Sequence, residues 1–180
     1  MNNDEENIVW FAMRAPFCKE LEAKRLLDKQ AIENFVPMCY KVFEKNNKKR
    51  RELVPAVHNL IFVRTTRRII RETKRTVPFL QYITMPDAGK NSPIIVPDIQ
   101  MQQFISVSRL HNERLIYLTP EEINLAKGTR VRVLGGPFDG VEGAFVKVRG
   151  CRSKRVVILI QGILAVAVAE VKPDLIEVIG

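Results

Sequence analysis

The stretch Lys127–Gly150, KGTRVRVLGGPFDGVEGAFVKVRG, decides how the last third of the chain folds. In Thr129–Leu134, Val131 and Val133 alternate with Arg130 and Arg132, the period-two pattern of a strand with one buried face and one wet, basic face. Gly135, Gly136 and Pro137 punctuate the strand, Asp139-Gly140 is a turn dipeptide that can supply a positive φ, and Gly143 suits a bulge or a close backbone approach. Alternation resumes at Ala144, Val146 and Val148, so the whole stretch reads as two strands of a small β-barrel around a glycine-built turn.

Working outward, Val156–Ile160 and Ile163–Ala169 are apolar strands joined by Gln161-Gly162, and Leu175–Ile179 is placed to close the barrel. Upstream, periodicity fades from Arg109 to Ala126, where charged residues mix with Thr119-Pro120, and residues 109–126 read as a polar linker. Before it, Pro97 opens a helix in which Met101, Phe104, Ile105 and Ser108 fall on one face. Ile8–Met13, IVWFAM, reads as a strand buried on both faces, and Pro16–Gln30 as a helix with Leu21, Ala23, Leu26 and Leu27 in a broad apolar stripe. Asn34–Phe43 reads as strand interrupted by the edge residue Pro37, and NNKKRR, Asn46–Arg51, as a hairpin tip reaching into solvent. Asn59–Arg64 is a strong strand, Thr66 is placed to cap a short basic helix, Val77–Ile83 reads as strand, and Pro86, Gly89 and Pro93 mark a loop. The fold class is therefore an α+β N-terminal sandwich, an antiparallel sheet with flanking helices, in residues 1–108, followed by an all-β barrel in residues 127–180.

The 180 residues have room for one large or two small domains, and an apolar fraction of 46% permits a full core. Net charge is +9, and the window Lys41–Arg75 alone holds twelve Lys/Arg against three Glu, so the basic surplus is concentrated there and points to a polyanionic partner. Cys18, Cys39 and Cys151 are widely spaced with no CxxC pair and only His58 and His111 for company, which predicts reduced, buried thiols and neither a disulfide framework nor a zinc site. The acidic start MNNDEEN is unlike a signal peptide and no apolar run reaches membrane length, so the expected location is the cytoplasm, without membrane association. No P-loop, GxGxxG, HExxH or GxSxG occurs, which argues against an enzyme, and no cofactor is implied.

Gly128, Val131, Arg132, Val133, Gly136, Pro137, Phe138, Gly140, Gly143 and Val148 fill the pattern of the KOW motif, and the stretch resembles the one that opens an SH3-like barrel in the NusG family of transcription elongation factors. The N-terminal part resembles the NusG N-terminal (NGN) domain: Trp10-Phe11 in the first strand, a helix, a basic hairpin, then VPAVHNLIFV and RTVPFLQYI. His58-Asn59-Leu60 stands where that family usually has Pro-Gly-Tyr, and the strings HNLIFV and VPDIQMQQF are similar to those of the UpxY group of antiterminators, associated with capsular polysaccharide operons.

The resemblance implies RNA polymerase clamp helices as a partner, met by an apolar hollow around Leu60, Phe62 and Leu80; core packing explains the same three residues. It brings Lys74 and Arg75 towards non-template DNA, where Arg67, Arg68 and Arg71 would join them against phosphates, and Lys48, Lys49, Arg50 and Arg51 towards DNA or nascent RNA. A solvated basic face is the plain reading of any one of these cations. Phe138 matches a position that presents an aromatic to the ribosome or Rho, and a plug under the turn would serve equally. The glycines of the turn and the β-branched residues beside it oppose a helical alternative of the kind adopted by the family member RfaH. The expected protein is a monomeric antitermination factor; a KOW-containing ribosomal or translation-associated RNA-binding protein is the alternative.

Overall fold

The computed structural model describes residues 5–111, 115–118, 128–148, 152, 154–160, 164–167 and 175–179. In chain order the elements are β1 (Val9–Arg14), α1 (Glu20–Lys29), β2 (Glu33–Phe35), β3 (Met38–Lys45), β4 (Lys48–Pro55), β5 (Leu60–Thr65), α2 (Arg67–Thr76), β6 (Gln81–Tyr82), β7 (Thr84–Asp87), β8 (Lys90–Pro93), β9 (Ile95–Val96) and α3 (Asp98–Arg109). They continue with β10 (Ile116–Leu118), β11 (Thr129–Val133), a short 3-10 turn at Gly136–Phe138, β12 (Glu142–Lys147), β13 (Lys154–Ile160), β14 (Leu164–Ala167) and β15 (Ile176–Val178). The chain divides into two compact units, Met1–Met38 with Leu53–Asp98, and Cys39–Glu52 with Ile99–Gly180. The division differs from the expected one at 109–126: the β3–β4 hairpin and α3 group with the C-terminal strands.

The first unit is an α+β fold. Its antiparallel sheet runs β2-β5-β1-β6, with β9 also pairing β1, in the register Phe11↔Val63, Ala12↔Phe62 and Met13↔Ile61. One face carries Phe11, Met13, Ile61 and Val63, which pack with Ala23 and Leu27 of α1, Ile70 of α2, and Val77 and Leu80 in a single buried cluster. The opposite face carries Trp10, Ala12, Leu60 and Phe62, at most 4% exposed, so β1 and β5 are buried on both sides as their unbroken apolar runs require. α1 differs from the expected stripe: Leu21 is exposed and the buried residue of the first turn is Glu20. α2 begins where expected, because the Thr66 hydroxyl accepts the Ile69 N–H at 3.2 Å. Only Gln81–Tyr82 of the expected strand 77–83 is strand, and the expected loop around Gly89 is the β7–β8 hairpin, turned by positive φ at Ala88 and Gly89.

In the second unit, β3 and β4 pair alone, and Asn46 and Asn47 take positive φ at 53° and 58°, the geometry of a tight hairpin turn. The tip is therefore Asn46-Asn47 alone, and Lys48–Arg51, expected in the tip, already belong to the return strand β4. α3 buries Met101, Phe104, Val107 and Ser108, with Val107 taking the place expected for Ile105. The C-terminal strands form an antiparallel sheet in the order β10-β14-β13-β12-β11-β15. Its first strand comes from the expected linker: Ile116–Leu118 pairs with Ala165–Ala167, because Ile116 and Leu118 join an apolar cluster with Val146, Val148, Val157 and Ala167. The rest of that linker, residues 112–114 and 119–126, and the Gln161-Gly162 turn lie outside the described residues. Gly143 sits where the close approach was expected: a Cβ there would stand 2.5 Å from the Val157 carbonyl oxygen.

Candidate nucleic-acid interface

Helix α2 presents Arg67, Arg68, Arg71, Lys74 and Arg75 against a single acid, Glu72. Ile70 and Thr73 turn inward, which leaves Arg68, Arg71 and Arg75 exposed and Arg67 and Lys74 half-buried. The Lys74 ammonium lies 4.2 Å from the centre of the Tyr82 ring, a cation–π contact that fixes where the charge sits. Burial pushes the Tyr82 hydroxyl above the ordinary tyrosine range, and the nearby Arg71 and Arg67 charges partly oppose the shift. The surface is not bare. The acidic N-terminus folds back on it, Glu6 meeting Arg68 at 3.0 Å and Glu5 holding Arg71 through both carboxylate oxygens. The hydrogen bond that Arg68 donates to Glu6 raises the Arg68 pKa further, so this guanidinium keeps its charge. Crowded cations need an anion nearby, and part of the compensation is built into the chain.

Lys48, Lys49, Arg50 and Arg51 are all exposed on β4. They do not form one stripe, because period-two geometry sends Lys48 and Arg50 to one face and Lys49 and Arg51 to the other. Arg51 stacks on Tyr40 at 4.0 Å from the ring centre, and Arg50 lies 3.7 Å from Glu52. In the C-terminal sheet Lys147, Arg152 and Lys154 are exposed, while Arg149 and Cys151 lie outside the described residues. Arg132, read in the sequence as wet and basic, is tied to Glu142 at 2.6 Å and Glu177 at 3.4 Å, which raises its pKa, chiefly through the Glu142 hydrogen bond.

The three residues expected around an apolar hollow are buried. Leu60, Phe62 and Leu80 are 4%, 0% and 1% exposed, and they do not line one surface. Leu80 packs with Ile61 and Val63, whereas Leu60 and Phe62 point to the other side of the same strand. Phe138 is buried as well. It is 6% exposed beneath its own turn, where Gly140 donates to the Val133 carbonyl at 2.8 Å and Gly135 N–H donates to Asp139.

Sequence reading missed two features. One is the Glu5/Glu6 clasp on α2, whose charge complementarity to the basic window was visible but whose contact was not. The other joins Cys18, Glu20 and His58, whose ligand atoms all lie within 4.8 Å of one another. Cys18, expected to be buried, is exposed, and Cys39 is half-buried.

With this geometry in place, the comparisons define the class. Residues 8–105, more than half of the chain and the whole sheet of the first unit, match the family described as "Transcription termination factor nusG". The chain belongs to the NusG family of transcription factors. Among solved structures it is similar to one described as "Domain interaction in Thermotoga maritima NusG", at 17% identity and a TM-score of 0.49, covering 97% of this chain and 98% of that one. No curated protein matches.

Proposed function

We propose that this chain is a specialised NusG paralogue that binds transcribing RNA polymerase at the clamp helices and promotes processive transcription, by antitermination, of target operons for capsular or other surface polysaccharides. The observation that carries the reading is helix α2: within the family-matched region it offers five cations on ten residues, held on a folded sheet beside Tyr82. Such a helix neutralises phosphates of non-template DNA or nascent RNA and gives affinity with little sequence choice. The strings HNLIFV and VPDIQMQQF, which build β5 with its preceding loop and the start of α3, support the assignment to the antiterminator group. In this reading the C-terminal strands act as a KOW barrel that recruits the ribosome or Rho, and the protein works as a cytoplasmic monomer. Leu60, Phe62 and Leu80 are left out of the polymerase-docking set because they stand inside the fold.

The test is in vitro transcription through a terminator on a template carrying the protein's own upstream leader. Read-through rises with the protein and falls back with Arg71→Glu plus Arg75→Glu, whose circular dichroism stays that of the parent. Unchanged read-through with the parent protein overturns the proposal.

A further inference from the structure

The loop from β1 to α1 and the loop from β4 to β5 meet at three side chains of different chemistry. The Cys18 sulfur lies 3.8 Å from Nδ1 of His58, and the same Nδ1 lies 4.0 Å from Oε1 of Glu20. Two backbone contacts hold the loops together: Cys18 N–H donates to the Asn59 side-chain oxygen at 2.9 Å, and Asn59 N–H donates to Oε2 of Glu20 at 3.2 Å. Cys18 and Asn59 both take positive φ, 56° and 63°, conformations that residues with a Cβ adopt only when the surroundings impose them.

Glu20 is the feature that asks for a partner. At 1% exposure it is the one buried ionisable side chain among the described residues, and its partners there are a single backbone N–H and an imidazole edge. A carboxylate removed from water without a cation is unfavourable. The imidazole and thiol, by contrast, are open to solvent on the outer side. A sulfur, a nitrogen and a buried carboxyl oxygen within 4.8 Å of one another make the donor set of a borderline divalent metal.

We propose that Cys18, Glu20 and His58 form a zinc-binding site that clamps the β4–β5 loop to the start of α1. Tetrahedral zinc with bonds of about 2.0 to 2.3 Å places its ligand atoms roughly 3.4 to 3.6 Å apart. The two separations to His58 Nδ1 exceed that by roughly 0.2 to 0.6 Å and all three ligand atoms lie within 4.8 Å of one another, a gap that rotations of the exposed Cys18 and His58 side chains close. Binding converts the Cys18 thiol to a thiolate and releases its proton to water, and the fourth position faces solvent and takes a water molecule. Glu20 keeps its Asn59 hydrogen bond through Oε2 while Oε1 meets the metal. The site neutralises the buried carboxylate and ties together segments forty residues apart. It is independent of the polymerase reading.

The experiment is titration of the reduced full-length protein with Co2+ as a spectroscopic probe, followed by competition with Zn2+. One equivalent of Co2+ gives a sulfur-to-cobalt charge-transfer band in the near ultraviolet and visible bands of a tetrahedral ion, all displaced by Zn2+. Cys18→Ser abolishes the charge-transfer band, and His58→Ala weakens Co2+ by at least about ten-fold, the scale on which metal sites respond to loss of a supporting group. Cys39→Ser and Cys151→Ser leave both the band and the affinity unchanged. Because Cys18 and His58 are exposed, both variants keep the far-ultraviolet circular dichroism of the parent; Glu20→Gln, which alters a buried group, serves only as a confirmatory variant. Absence of the band in the parent protein, or its survival in Cys18→Ser, overturns the proposal.

Discussion

Replacing Phe62 with alanine tests whether this side chain is a docking group or part of the core. The structure commits to the second. Phe62 is 0% exposed in β5, between Ala12 of β1 on one side and Phe35 of β2 on the other. Ala12 is too small to fill the space that a removed ring would leave, so the cavity persists and the expected cost is about 3 to 5 kcal/mol. Against a typical total stability of roughly 5 to 15 kcal/mol that is a large fraction. In a unit of this size each kcal/mol moves the melting temperature by about 4 to 8 °C, so Phe62→Ala lowers it by roughly 12 to 40 °C. Thermal unfolding followed by circular dichroism reads the shift directly. A variant that melts within about 3 °C of the parent, well under the loss expected from a filled core site, yet fails in read-through, would refute this packing and restore Phe62 as a surface contact. Loss of polymerase binding in an unfolded Phe62→Ala protein says nothing about docking.

Removing the clasp on α2 acts in the opposite direction. Glu5→Gln with Glu6→Gln frees Arg71 and leaves Arg68 with Glu72 at 3.5 Å, and binding to a single-stranded oligonucleotide tightens while the slope of log affinity against log salt steepens by roughly one, read by fluorescence anisotropy. Gly143→Ala forces a Cβ to within 2.5 Å of the Val157 carbonyl and 2.9 Å of Val156 Cγ1, and urea denaturation shows a loss of about 1 to 3 kcal/mol. Asp28 is held below its ordinary value of 3.8, first by the Asn34 side-chain amide at 2.7 Å and then by Lys24. A depressed folded-state pKa gives stability that is present above 3.8 and lost as pH falls through the lower folded value. Asn34→Ala therefore raises the Asp28 titration midpoint in a carbon-detected NMR experiment; an unmoved midpoint would rule out the amide as the main cause.

The strings that build β1 and β5 announce strands on sight, because Ile8–Met13 and Asn59–Arg64 are short, branched and apolar, and burial on both faces follows from that pattern alone. Thr66 announces its helix for a reason equally local, a hydroxyl placed three residues before the N–H it caps. Gly135, Gly136 and Gly140 all take the positive φ that their turn demands, so the centre of the C-terminal stretch was also legible. The family could be named from the same strings, and the match over residues 8–105 agrees.

Other decisions waited for tertiary structure. Leu60, Phe62 and Leu80 look alike in the sequence, but which side of the sheet each one faces depends on how the turn at Val77–Leu80 returns the chain, and that return sends Leu80 to the face opposite the other two. Glu20 looks like an ordinary helix-surface acid until the Asn59 N–H arrives from the other loop. Cys18 and His58 stand forty residues apart, and Glu5 stands sixty-six from Arg71. Periodicity reports the backbone conformation of neighbours along the chain, whereas the meeting of distant side chains is set by strand pairing and loop geometry, so a sequence shows the strands and caps but not which charges and ligands they bring together.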